Sequence, residues 1–283
     1  IAISAFQESG ATPRVVSLAE RAFEKGDIQQ TAMWLRIAAQ IRTLSPLDIY
    51  RVAWKYYEQG DRQSALDFLR PYYDVLPHDS IDSLRTAGMI ERIQGHIAEA
   101  IRYYEQGLQR APADLDFLYR LRSTYMDTGD YERALNIALT EATHTPPIEQ
   151  KQAEIRLVIA QIFRLKGETL QALDWAQAAI DASPNWRAAY TELGIIYCST
   201  GQVSLALENH EKALSLAKPS DSLPAFVAKA RCLYDSGDIE AGIATMEMLM
   251  RGFGNDSRLI SSYQILSQWH VDNGERNEAE EVL

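Results

Sequence analysis

The side chains best suited to metal or acid–base chemistry are spread thinly along this sequence of 283 residues. No two histidines stand four residues apart, the helical spacing at which a pair can share a metal ion. The five are His78, His96, His144, His210 and His270. Neighbouring acids such as Asp114 and Asp116 are typical of helix starts, since a catalytic pair needs a closed pocket to shift its pKa values. The sequence therefore predicts a protein that is not an enzyme, with no catalytic residues, no metal site and no cofactor.

The two cysteines, Cys198 and Cys232, are too few for a disulfide framework and lack the paired spacing of a zinc site. Cys198 precedes Gly201 by three residues, and Cys232 precedes Gly237 by five. If both glycines end equivalent helices, the cysteines differ by two helical positions, about 200° around the axis. We therefore expect the two thiols not to face each other. Their number leaves a cytoplasmic and a periplasmic location equally open.

The charge balance of the chain is acidic, with 28 Lys and Arg against 39 Asp and Glu. Such a chain repels phosphate backbones and anionic lipid unless its bases cluster on one face, and no cluster is evident. Charged or amide side chains interrupt every apolar stretch before it reaches the roughly 18 residues of a membrane-spanning helix. The sequence thus predicts a soluble chain with no nucleic-acid partner and no direct insertion into a membrane.

Glycines followed by a polar or turn-favouring residue recur every 34 to 38 residues. They are Gly26, Gly60, Gly95, Gly129, Gly167, Gly201, Gly237 and Gly274. The residue seven before the glycine is small in seven of eight cases, and the residue five after it is usually alanine. Small residues at both places let two helices cross closely. Prolines further on would end the second helix. The pattern predicts a repeated helical hairpin.

This pattern resembles the tetratricopeptide repeat family. Its signature is a small residue in the first helix, an aromatic residue three positions on, the turn glycine, an alanine five later and a closing proline. The resemblance implies an all-α fold, a right-handed α-solenoid of about eight helix-turn-helix hairpins, each stabilised by its neighbours. Among the departures, Arg122 replaces a small residue. Pentatricopeptide repeats, the nearest alternative, would need a basic RNA-binding groove.

The repeats set the predicted domain organisation. We expect an N-terminal lead-in at 1–11, followed by a single superhelix over 12–283. The expected hairpins span approximately 12–45, 46–80, 81–114, 115–150, 153–186, 187–221, 223–257 and 260–283, the last being incomplete. We also expect the longest interval, around Pro146, to change the pitch locally without separating two domains.

The family resemblance places ligand-binding side chains at positions two, five, nine, twelve and thirteen of each first helix. The predicted partner-binding groove is formed by Leu47, Tyr50, Trp54, Tyr57, Arg85, Met89, Arg92, Tyr119 and Met126. The first four lie opposite the packing stripe of their helix, so this helix is apolar on two faces. A second apolar face needs either a buried neighbour or a partner's side chains, and both interpretations remain open. For Arg85 and Arg92, the alternative is a solvated face balanced by Asp82 and Glu91.

The mixture of aromatic, methionine and arginine side chains suits an extended or helical peptide with apolar anchors and some acidic character. The leading hypothesis is a non-catalytic protein–protein interaction scaffold that binds a peptide or partner domain in its concave groove. An alternative is an assembly or regulatory region of a larger bacterial protein, such as an envelope polysaccharide-export component or a glycosyltransferase. It is motivated by the absence of an initiator methionine at Ile1 and by the end at Leu283 within a helix. A third hypothesis is self-association through uncapped ends.

Overall fold

The computed structural model describes residues 15, 17–19, 21–22, 25–41, 46–58, 60–72, 80–218, 221–253 and 259–282. Across these ranges the secondary structure is helical, with no strand. The predicted all-α fold is therefore confirmed. The lead-in predicted at 1–11 lies outside the described residues.

The helices follow one another in hairpins. In chain order they are α1 (Ile28–Ile41), α2 (Pro46–Glu58), α3 (Arg62–Leu69), α4 (Ile81–Gln94), α5 (Ile97–Arg110), α6 (Leu115–Asp127), α7 (Tyr131–His144), α8 (Glu149–Leu165), α9 (Thr169–Ala182), α10 (Arg187–Ser199), α11 (Val203–Leu216), α12 (Leu223–Asp235), α13 (Ile239–Phe253), α14 (Ile260–Asp272) and α15 (Arg276–Val282). A short 3₁₀ helix, Arg70–Tyr72, follows α3. Even-numbered helices stand in the place of first helices of the repeats, and odd-numbered helices stand in the place of second helices.

The periodic glycines lie in the turns between first and second helices. All eight have positive φ values, from 74° to 95°, which glycine adopts without the steric cost of a Cβ atom. At Gly95, the amide of the following residue, His96, donates to the carbonyl of Glu91 at 2.8 Å, closing the first helix of the hairpin. In several hairpins the next residue is an aspartate that caps the second helix; Asp61, for example, accepts from the amide of Ser64 at 3.0 Å.

The small residues lie where paired helices come closest. A Cβ atom at Gly88 in α4 would stand 2.4 Å from the ring of Tyr104 in α5. One at Gly194 in α10 would stand 2.5 Å from the ring of His210 in α11. The predicted crossing of small residues is thus present. Arg122 is the one large residue at this repeat position. Its guanidinium lies over the ring of Tyr119, 5.1 Å from the ring centroid.

The chain divides into two compact units, Ile1–Thr128 and Gly129–Leu283, called here the N-unit and the C-unit. The N-unit core includes Phe68 and Leu69 from α3, which are fully buried. The C-unit core includes Ile196 from α10 and Met246 from α13, also buried. The single superhelix over 12–283, with its hairpin boundaries, stays a prediction.

Cys198 and Cys232 form a disulfide bond with Cα atoms 5.7 Å apart, so the expectation that their thiols do not face each other is wrong. The cysteines belong to α10 and α12, neighbouring first helices of the C-unit. In stacked helices, a residue directed towards the following helix meets a residue directed back towards the preceding one. Those two directions differ by about half a turn, which two helical positions provide. The offset therefore brings the sulfur atoms together.

Candidate functional site

The predicted groove residues of the N-unit differ widely in exposure. Tyr119 is 39% exposed, whereas Trp54 is 9% and Arg92 7% exposed. Met89 has no exposed surface, so its side chain lies in the core of the unit rather than on the surface that the sequence predicts. Residues of intermediate exposure are Tyr57, Arg85 and Met126. The side chains of Leu47 and Tyr50 lie outside the described residues.

Arg85 lies among carboxylates from two helices and the loop between hairpins. Its guanidinium contacts Asp82 at 2.6 Å, Asp114, and Asp116 at 3.3 Å. It also covers the ring of Phe117 at 4.9 Å. Burial raises the pKa of the Asp116 carboxyl to about 6; Arg85 opposes this rise and the charge of Asp114 adds to it. The ion pair with Asp82 that the alternative interpretation invoked is present, although the arginine is mostly buried.

The second apolar face of α2 is covered by arginines from later helices. The Arg120 guanidinium lies 3.9 Å from the Trp54 ring centroid, and the Arg92 guanidinium lies 5.7 Å from that of Tyr57. Arg120 is 2% exposed and donates to Asp116 at 2.9 and 3.0 Å. The sequence left open whether a neighbouring residue or a partner covers this face. At Trp54 and Tyr57, neighbouring arginines cover it. Cation–π contacts of this kind are strongest where water is excluded.

An open groove lies in the C-unit between the first helices α12 and α14, with a volume of about 640 Å³. Its lining residues are Arg231, Tyr234, Asp235, Ser261, Gln264, Ile265, Gln268, Trp269 and Asp272. Most of them stand at the helix positions that the family resemblance assigns to ligand contact. We call this surface the α12–α14 groove.

The floor of the α12–α14 groove is aromatic. The rings of Tyr234 and Trp269 stack with centroids 4.2 Å apart and planes 5° apart. Trp269 is only 7% exposed, whereas Tyr234 is partly exposed. Burial raises the pKa of the Tyr234 phenol, and the carboxylates of Asp272 and Asp235 raise it further. The phenol therefore stays protonated, and both carboxylates act on it.

The walls of the α12–α14 groove are polar and exposed. Gln268 donates its side-chain amide to the Asp272 carboxylate at 2.7 Å. Arg231 and Gln264 extend exposed side chains from opposite helices. The prediction from the sequence placed the groove elsewhere because it relied on the density of aromatic residues in the second to fourth hairpins. To find polar residues around an aromatic stack between two first helices, one needs the spacing between those helices, which the sequence does not contain.

One wall of the groove is covalently tied to the preceding hairpin. Cys232, 2% exposed, adjoins Arg231 in α12, and its disulfide fixes α12 to α10 through Cys198. The groove wall is therefore constrained by a covalent bond as well as by packing.

The described residues contain neither a metal-binding cluster nor a membrane-spanning helix. Within the described ranges, no three His, Cys, Asp or Glu side chains are grouped to hold a metal ion; His78 lies outside them. No helix in the part of the chain that the structure describes has the length and apolarity needed to cross a membrane.

The helical hairpins and the surface between their first helices define a helical-repeat protein. A family model described as tetratricopeptide repeat matches residues 92–162. A tetratricopeptide repeat protein from Parabacteroides merdae has a TM-score of 0.66 at 16% identity, covering 91% of this chain and 99% of that chain. The Cut9–Hcn1 hetero-tetramer of APC/C has a TM-score of 0.58 at 13% identity, covering 90% and 50%. These similarities show that this chain has the α-solenoid fold of tetratricopeptide repeat proteins, and the family model itself matches residues 92–162.

A relative by sequence is the human (Homo sapiens) protein O-mannosyl-transferase TMTC1. It is 31% identical over 134 residues, which cover 47% of this chain and 14% of that protein. The similarity thus concerns a small part of the relative's length.

Proposed function

We propose that this chain is a non-catalytic protein-interaction scaffold that binds a peptide or partner domain in the α12–α14 groove. The observation that carries the proposal is the open volume of about 640 Å³ between two first helices, with an aromatic floor and exposed polar walls. An apolar floor supplies contact area, while polar groups at the rim fix the orientation of a ligand. The match of residues 92–162 to a repeat family whose proteins generally bind other proteins supports the same function.

The exposed part of the predicted N-unit groove remains a proposal for a second contact surface. Tyr119, 39% exposed, and Met126 stand on α6 with Arg122 packed beside them. Buried Trp54, Met89 and Arg92 would support this surface from behind rather than touch a partner. The α12–α14 groove has an open volume at the family's contact positions, and we rank it first of the two surfaces.

Display selection tests this function directly. Random dodecapeptides selected on the whole chain should bind it, and Gln264→Trp should weaken them at least tenfold, because an exposed Gln264 lines the groove and a large ring there would fill it. Binding is measured by fluorescence anisotropy, with folding checked by circular dichroism. Glu208→Trp, on the exposed face of second helix α11, is the matched control and should leave affinity unchanged.

The result also distinguishes the two surfaces. Peptides that bind Gln264→Trp as tightly as the wild type would contradict the α12–α14 groove. If Tyr119→Ala weakened those same peptides, the site would be assigned to the N-unit surface instead.

A second candidate function is favoured by the similarity to O-mannosyl-transferase TMTC1. In this alternative, the chain is the assembly or regulatory repeat region of a larger glycosyltransferase. The test is the complete reading frame in the native genome: a multi-spanning transferase region in the same polypeptide supports this candidate, and its absence rejects it.

A further inference from the structure

Resting on the proposed function, we infer that the α12–α14 groove recognises a basic side chain of its partner polypeptide. A lysine or arginine would lie between the carboxylates of Asp235 and Asp272, beside the ring of Tyr234. The partner's chemistry is thus a cationic side chain flanked by residues that can pack on the aromatic floor.

Two carboxylates from different helices line the same groove. Asp235 ends α12 and Asp272 ends α14; both line the groove, and both carboxylates act electrostatically on the Tyr234 phenol. Both are exposed, and neither forms an ion pair with any described residue. The amide of Gln268 holds the Asp272 carboxylate at 2.7 Å. Two acids that line one groove and form no ion pair are complementary to an ammonium or guanidinium group.

The aromatic floor favours the same occupant. The face of a tyrosine or tryptophan ring attracts a cation, and guanidinium groups in particular lie flat on such rings. In the N-unit, this chain already places Arg120 over Trp54 at 3.9 Å, with Asp116 holding the guanidinium at 2.9 Å. The α12–α14 groove offers acids and aromatic rings in the same combination, but there no described Lys or Arg forms an ion pair with the acids.

Charge over the whole C-unit supports this choice. Residues 129–283 contain 22 Asp and Glu against 13 Lys and Arg, whereas residues 1–128 contain 17 against 15. The C-unit therefore carries most of the excess negative charge of the chain. An excess of one sign steers oppositely charged partners during encounter. An acidic peptide of the kind considered from the sequence would be repelled here.

Arg231 is the positively charged residue among those that line the groove. It precedes Asp235 by one helical turn on the exposed face of α12. Its guanidinium can donate hydrogen bonds to a backbone carbonyl or a carboxylate of the partner next to the basic residue. The groove thus fits a basic residue with an acceptor group one or two residues away better than a run of several basic residues.

The test uses the dodecapeptides selected on the wild-type chain. They should contain Arg or Lys at a recurring position, and replacing that residue by neutral citrulline or norleucine should weaken binding about tenfold. The double variant Asp235→Asn and Asp272→Asn should weaken the basic peptide by a similar factor and abolish the difference between the basic and neutral forms. Raising the salt concentration should weaken only the basic form.

A matched pair of substitutions controls for net charge. Glu208→Gln with Glu240→Gln removes the same two charges from exposed positions on second helices of the C-unit and should leave affinity within about twofold. Selected peptides whose binding is blocked by Gln264→Trp, but which contain no recurring basic residue, would overturn this inference. The proposal that peptides bind in the α12–α14 groove would still stand. An equal loss in both double variants would also overturn it, since it would reflect net charge rather than the site.

Discussion

His210 is fully buried in α11 against Gly194, and neither of its ring nitrogens has a hydrogen-bond partner among the described residues. Burial lowers the pKa of His210 to about 4; the charge of Lys229 lowers it further and that of Glu211 opposes it. The imidazole is thus neutral in the folded C-unit at neutral pH. Its flat ring fills the space that the missing Cβ atom of Gly194 leaves.

This burial predicts an acid-sensitive C-unit. Between the ordinary histidine pKa of about 6.5 and the folded value of about 4, the unfolded chain binds a proton that the folded chain does not. The free energy of unfolding should therefore be highest above that window and fall by about 3 kcal/mol as the pH drops through it. Urea unfolding of the wild type and of His210→Leu at several pH values measures the difference. An unchanged pH slope in the variant would contradict the assignment.

Gly88 gives a second residue-scale prediction. A Cβ atom there would stand 2.4 Å from the Tyr104 ring. Gly88→Ala should therefore displace this ring and force α4 and α5 apart. We expect a loss of about 1–3 kcal/mol, the usual cost of overpacking a core. Chemical unfolding measures it, with Gly252→Ala as the control, since nothing lies within 4 Å of a Cβ atom at that position. Equal stability of the two variants would show that the pair can separate freely.

At the scale of elements, the hairpins could be predicted from the sequence because each depends on contacts within one repeat. Turn glycines such as Gly95 and crossing residues such as Gly194 act on neighbours fewer than twenty residues away. The cover of Trp54 by Arg120 and the pairing of Cys198 with Cys232 depend instead on how one hairpin stacks on the next. A single sequence contains no measure of that stacking. The sequence therefore predicts which positions of a first helix line a groove. It does not predict in which hairpins those positions stay open to solvent.

The disulfide gives an element-scale prediction. Cross-linking α10 and α12 over a separation of 34 residues restricts the unfolded chain and should stabilise the C-unit by about 4 kcal/mol. The double variant Cys198→Ala and Cys232→Ala should lose about that amount, as should the wild type in reductant. Thermal unfolding with and without reductant is the measurement. Reductant should have no effect on the double variant; a wild type equally indifferent to reductant would indicate that the bond is absent or without effect.

At the scale of the whole molecule, stability should be local to each unit, because in a repeat array each hairpin mainly contacts its neighbours. The N-unit and C-unit have separate buried residues, such as Phe68 and Met246. Their unfolding therefore need not follow a single transition. Measured stabilities are best assigned to one unit at a time.

Hydrogen exchange tests this locality. Phe68→Ala removes a fully buried ring and should lower protection in the N-unit by an amount equivalent to about 3–5 kcal/mol. Amides around Met246 should keep their protection, while Met246→Ala should give the reverse pattern. Loss of protection throughout the chain in either variant would instead show one cooperative structure.

Because of the bond between Cys198 and Cys232, the way in which a sample is produced affects its binding properties. A preparation from a glutathione-rich cytosol and one from an oxidising secretory route would share a sequence yet differ in how firmly α12, and hence Arg231 and Tyr234, is held. Affinities compared between laboratories would then diverge for a reason invisible on a denaturing gel run with reductant. Titrating free thiols before each binding assay would remove that ambiguity.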